Sequence, residues 1–109
     1  VYVAGPISVG DVEANVRRAV SVGLELFRAG YAPFIPHLSH FADPLALCGT
    51  EAYEGWLDLD RSFISVCDAL LRLPGYSAGA DREVAFAKSY WVPVYYSVDH
   101  LLLELAPTR

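Results

Sequence analysis

Four short apolar runs, none longer than five residues, alternate with stretches of helical spacing, and that alternation leaves few folds open. Val1–Ala4 is closed by Gly5-Pro6, Tyr31–Ile35 by Pro36 and Ala69–Leu73 by Pro74-Gly75, and Pro93–Tyr96 is the last. Runs this short, bounded by glycine and proline, read as strands buried on both faces. Between the first two, Asp11 offers an N-cap, and Val12, Val16, Val20, Leu24 and Phe27 recur at helical spacing until Gly30. Trp56–Val66 is helical again, with Leu59, Phe63 and Val66 on one face. Ala80–Trp91 is a third helix, and Asp99 caps a last one through Leu105. Strands joined through helices by short connections run parallel, with right-handed crossovers. The expected fold is α/β: a Rossmann-like open parallel sheet of four to five strands flanked by helices. The expected organisation is a single domain over residues 1–109.

A domain of 109 residues buries a modest fraction of its surface, and 54% hydrophobic residues is generous for that size. The excess implies apolar surface covered by another copy of the chain, so a homo-oligomer, dimer or higher, is expected. The net charge is −5 and no basic run occurs, which argues against a polymeric nucleic acid partner. No apolar stretch approaches a membrane span and no signal peptide is visible, so the expected compartment is the cytoplasm, with no membrane partner. Cys48 and Cys67 form no CxxC pair, and Cys67 reads as a small buried thiol within an apolar run.

Open parallel sheets bind ligands beyond the carboxyl ends of their strands. Here those ends are Gly5-Pro6-Ile7-Ser8, Pro36-His37 and Pro74-Gly75-Tyr76-Ser77. The stretch from His37 to about Gly55 shows no regular pattern and reads as a functional loop or lid. The most informative segment is Pro74–Glu83, where a turn of small residues opens a helix. Free backbone amides and the Ser77 hydroxyl converge there, a place to hold a phosphate or sugar hydroxyl. It is neither a Walker A loop nor a GxGxxG fingerprint, so no dinucleotide or other cofactor is expected. Glu83 falls in the expected first turn of that helix, where the dipole favours its ionised form. An ionised carboxylate beside a sugar suits a nucleophile or cation stabiliser, and a first-turn glutamate that only complements the dipole is the ordinary alternative. Glycoside chemistry pairs two carboxyl groups; Asp60 is the second candidate, with Asp58 and Glu54 close by and a solvated helix face as its alternative. His37, His40 and Asp43 lack recognised ligand spacing, so no metal is expected, and His37 reads as a base or sugar contact.

In this order, Tyr2-Val3-Ala4-Gly5-Pro6-Ile7, Asp60, Cys67-Asp68-Ala69-Leu70 and Ser77-x-Gly79-x-x-x-Glu83 resemble the nucleoside 2-deoxyribosyltransferase-like superfamily. Within it, the deoxynucleoside monophosphate N-glycosidases and small bacterial and phage relatives are most similar. The resemblance implies that Glu83 attacks the anomeric carbon and forms a glycosyl-enzyme, that Asp60 assists the leaving base, and that Tyr2 positions Glu83. It implies further that Ser77 and Gly79 hold the 5′ end of the nucleotide and that Gly5 lets the first turn approach the ligand. Pro6 and Ser8 stand where those N-glycosidases carry a serine and an arginine for phosphate. The expected activity is cleavage or transfer of the N-glycosidic bond of a nucleoside or its 5′-monophosphate, with hydrolysis favoured over transfer. The expected partner is that small molecule. The alternative is a nucleotide-binding or sensing module without turnover, since folds of this kind host many functions.

Overall fold

The computed structural model describes the backbone of residues 1–42 and 50–109 and the side chains of residues 1–39 and 54–109. The described elements, in chain order, are β1 (Tyr2–Ala4), α1 (Val12–Arg28), a 3-10 helix (Pro36–Ala42), α2 (Thr50–Ile64), β2 (Leu70–Arg72), α3 (Ala78–Ser89), β3 (Val94–Tyr95) and α4 (Val98–Glu104). The strands form an open parallel sheet in the order β1-β2-β3, with Tyr2 opposite Leu70 and Leu70 opposite Val94. The chain is therefore α/β, with three paired strands among the described residues. The expected strand Tyr31–Ile35 contributes one bridge, Phe34 to Tyr2, on the free side of β1. Phe34 donates to Val1 O at 2.7 Å and accepts from Val3 N at 2.9 Å, but Pro33 and Pro36 beside it have no amide to extend the ladder.

The period-two alternation of the strands divides the interior into two layers. Val1, Val3, Leu71 and Leu73 pack with Ala19 and Leu26 of α1 and Leu101 of α4. Tyr2, Ala4 and Leu70 pack with Ile64 of α2 and with Ala80, Val84 and Ala87 of α3. Asp11 caps α1 as expected, accepting from Ala14 N, and the helix buries Ala19, Gly23 and Leu26 while Leu24 and Phe27 stay exposed. Gly23 is required because Ile35 fills the space a Cβ would take.

Two expected boundaries move. The stretch from His37 to Gly55 is not wholly irregular, since it carries a 3-10 helix and the first turns of α2. The face of α2 turned inward is not Leu59, Phe63 and Val66, which are all exposed, but the one bearing Leu57, Asp60 and Ile64. Those three recur at i, i+3 and i+7, a helical stripe interrupted by one carboxylate. Ser77 and Ser97, rather than residues farther on, cap α3 and α4, accepting from Ala80 N and His100 N; Asp99 lies inside α4. Helix α3 ends in a Schellman arrangement, with Trp91 N donating to Lys88 O and Val92 N to Ala87 O. Trp91 occupies the left-handed position with φ of 61° and is 93% exposed.

Candidate functional site

Three elements deliver the candidate catalytic groups to one place. Helix α3 buries Ala80, Glu83, Val84 and Ala87, a stripe at i, i+3, i+4 and i+7 in which the only charged member is Glu83. Asp60 interrupts the equivalent stripe of α2, and Tyr2 reaches between the two helices from β1. The Tyr2 hydroxyl donates to Glu83 Oε2, and Asp60 acts electrostatically on both Tyr2 and Glu83. Tyr2 is fully buried, stacked on Phe34 at 5.6 Å, and Phe34 stacks in turn on Phe63 of α2 at 4.4 Å. Aromatic contact thus joins the strand to the helix that carries Asp60.

Burial sets the protonation of this cluster. Removal from water, followed by the charge of Asp60, pushes the Glu83 carboxyl up to about 8, against the lowering effect of the Tyr2 hydrogen bond and the Arg72 charge. Desolvation also raises Asp60, to about 6, while its interactions with Tyr2 and Glu83 oppose the rise. Burial and the two carboxyl groups raise Tyr2 far above the ordinary phenol range, so it stays a proton donor. Both carboxyls are thus held toward their protonated forms, and burial is the leading cause for each. The expectation that the helix dipole keeps Glu83 ionised is corrected here. Helix α3 begins at Ala78, so Glu83 lies beyond the first turn, where the dipole fades and desolvation dominates.

The three carboxylates left open on α2 are now separated. Glu54 is exposed and pairs with Arg82 of α3 at 3.1 and 3.3 Å, Asp58 is exposed, and Asp60 alone turns inward.

The strand-end residues form a rim rather than part of the cluster. Glu83 lies six residues into the chain beyond Ser77, about 9 Å along the helix. Gly5 is buried, but what approaches it is Leu73, whose Cβ would lie 2.9 Å from an added Cβ. Pro6 is buried and lies against Gly75, whose φ of 113° and closeness to Pro6 Cγ exclude a side chain there. Ile7 is half-buried and its carbonyl accepts from Asn15 Nδ2 at 3.1 Å, whereas Ser8 is exposed. Ser77 is buried and its oxygen is taken by the cap to Ala80 N at 3.0 Å, leaving its hydroxyl proton to donate; Gly79 is half-buried beside it. His37 is fully buried, with Nε2 3.0 Å from the Pro6 carbonyl, which fixes the proton on Nε2 because a carbonyl only accepts. Desolvation lowers its pKa and keeps it neutral, and Nδ1 has no partner among the described residues. The side chain of His40 and all of Asp43 and Cys48 lie outside the described residues.

Arg72 is the residue that sequence reasoning missed. It stands at the end of β2, is 8% exposed and acts electrostatically on Glu83. A lone cation in the apolar run Ala69–Leu73 was the signal.

A family model described as a domain of unknown function, DUF7768, matches residues 1–97, and the chain belongs to that family. No curated protein and no solved structure matches it.

Proposed function

We propose that this member of the DUF7768 family breaks the N-glycosidic bond of a nucleoside or nucleoside 5′-monophosphate, with Glu83 and Asp60 as its reacting carboxyl groups. The observation that carries the reading is the cluster itself: Glu83 is buried on α3 with its Oε2 accepting from the Tyr2 hydroxyl, Asp60 turns inward from α2, and burial raises both carboxyls. Carboxyl groups whose proton affinity is raised by burial suit acid and base roles in such a site. The sequence resemblance to the nucleoside 2-deoxyribosyltransferase-like superfamily, in which a glutamate attacks the sugar, supports the same assignment.

In this mechanism the pair enters with one proton. It moves from Glu83 to Asp60 as Glu83 attacks C1′, and Asp60 passes it to the departing base nitrogen. The C1′–N bond breaks and a C1′–Oε ester forms, through an oxocarbenium-like transition state. Asp60, now ionised, takes a proton from water as the water oxygen displaces Glu83 from C1′, restoring the singly protonated pair. Tyr2 holds Oε2 of Glu83 throughout, leaving Oε1 as the attacking atom. The rim at Ser77, Gly79 and Pro6–Ser8, with His37 behind it, would bind the sugar and its 5′ group. Transfer to a second base in place of water is the same chemistry with another acceptor. The proposal includes assembly of copies, supported by Leu103 and Val66 on the surface, and action in the cytoplasm; no described helix is long and apolar enough to cross a membrane.

Incubation with a panel of ribo- and deoxyribonucleosides and their monophosphates, followed by chromatography, tests this reading. Free base is expected from at least one member, and Glu83→Ala is expected to abolish it in a folded protein. Base release that survives in folded Glu83→Ala removes Glu83 from its role. No release from any member, with thermal stabilisation by some, moves the assignment to a nucleotide-binding module.

A further inference from the structure

Arg72 is the one buried cation among the described residues, and two of its three hydrogen bonds lead to the turn and helix that carry Glu83. Nη1 donates to Leu73 O, and Nη2 donates to Gly75 O and to Asp81 Oδ1, each at 3.0 Å. One planar group therefore ties the end of β2 to the turn after it and to the first turn of α3. Gly75 in that turn has a positive φ and touches Pro6, so the same fork indirectly fixes the strand-end rim. The Asp81 side chain is 68% exposed, so its carboxylate is largely solvated and neutralises the buried guanidinium incompletely.

We propose that Arg72 is a positioning residue for Glu83: its guanidinium fixes the turn and helix that present the carboxyl, and supplies positive charge toward it. This inference rests on the reading of Glu83 as the attacking group, and it names how that group is made available in a dry site. The groups acting on Glu83 are Tyr2 from β1, Asp60 from α2 and Arg72 from β2; Arg72 is the only cation among them. Its charge opposes desolvation and favours the ionised form that attacks. Lysine would keep the charge but lose the planar fork that reaches two carbonyls and a carboxylate together.

The test is a carboxyl-carbon NMR titration of Glu83 in the folded, ligand-free protein, with the resonance assigned by its loss in Glu83→Gln. Arg72→Gln is expected to raise the Glu83 midpoint by about half a unit or more, and Arg72→Lys to return most of that shift. Asp81→Asn, which keeps a side-chain oxygen to accept from Nη2, frees the guanidinium from its counter-charge and is expected to move the midpoint downward. An unchanged midpoint in folded Arg72→Gln overturns the proposal. If Arg72→Gln does not fold, an unchanged midpoint in Asp81→Asn overturns it instead. Because the titration needs no turnover, absence of base release sinks the glycosidase reading without touching this result. Base release with unmoved midpoints sinks Arg72 alone.

Discussion

Alternate residues of β1 and β2 point to opposite helix layers, and the two layers differ in kind. Toward α1 and α4 the sheet offers Val1, Val3, Leu71 and Leu73, all apolar. Toward α2 and α3 it offers Tyr2, Ala4, Leu70 and Arg72, and the helices answer with Asp60 and Glu83 among Ile64, Ala80, Val84 and Ala87. Both layers exclude water, but among the described residues only the second buries carboxyl and guanidinium groups, where the first holds the phenols of Tyr31 and Tyr95. A strand of three residues is enough to make this division, because neighbours in sequence face opposite sides. Stability is drawn from one face, and the other can hold groups that are costly to bury.

The largest way to break the comparison is to damage the apolar layer. Leu71→Ala, at a site 1% exposed, is expected to cost about 2–5 kcal/mol in denaturant unfolding while leaving the titration of Glu83 in place. A Glu83 midpoint that moved along with stability would show that the layers are not separable.

The polar layer is expected to reveal itself through pH. Glu83 is raised from 4.5 to about 8 in the folded chain and Asp60 from 3.8 to about 6. Below about pH 4 both forms of the chain hold these protons. As pH rises the unfolded chain releases them first, so relative stability is lost progressively until pH passes the folded value near 8. The loss is expected to be on the order of a few kcal/mol, mostly from Glu83, which is 6% exposed. Unfolding midpoints collected between about pH 5 and 8 should fall in the wild type and flatten in Glu83→Gln. A flat wild-type profile contradicts the burial that raises these carboxyls. The smallest expected effect is that of Tyr2→Phe, which removes the donor to Glu83 Oε2 at about 1 kcal/mol and steepens the same pH dependence. Unaltered stability and slope in that variant would detach Tyr2 from the pair.

Much of this arrangement was legible in the chain. The short runs closed by glycine and proline located β1, β2 and β3, and the Asp11 cap located α1. Phe34 was misjudged because its residue types favour a strand while Pro33 and Pro36 withhold the amides a ladder needs. Helix α2 was misjudged through its most apolar face: Leu59, Phe63 and Val66 look like a core stripe, yet the inward stripe is buried Leu57, half-buried Asp60 and buried Ile64. An acid among apolar neighbours counts against burial in any periodicity argument, so the residue of greatest chemical interest hid its own helix face. The same logic concealed Arg72. For Glu83 the helix dipole is visible in sequence, whereas the desolvation that raises its pKa is a property of the assembled layers.

The Schellman end of α3 has a spectroscopic consequence. The chain has two tryptophans, and they occupy opposite situations: Trp91 stands in solvent beyond that helix end, while Trp56 is half-buried on α2. Trp56 lies one helical turn before Asp60. Emission from Trp91 is a red, nearly constant background, so changes in intrinsic fluorescence report on the helix that carries Asp60. A ligand that seats α2 more tightly against the sheet should therefore announce itself as a blue shift, without any label.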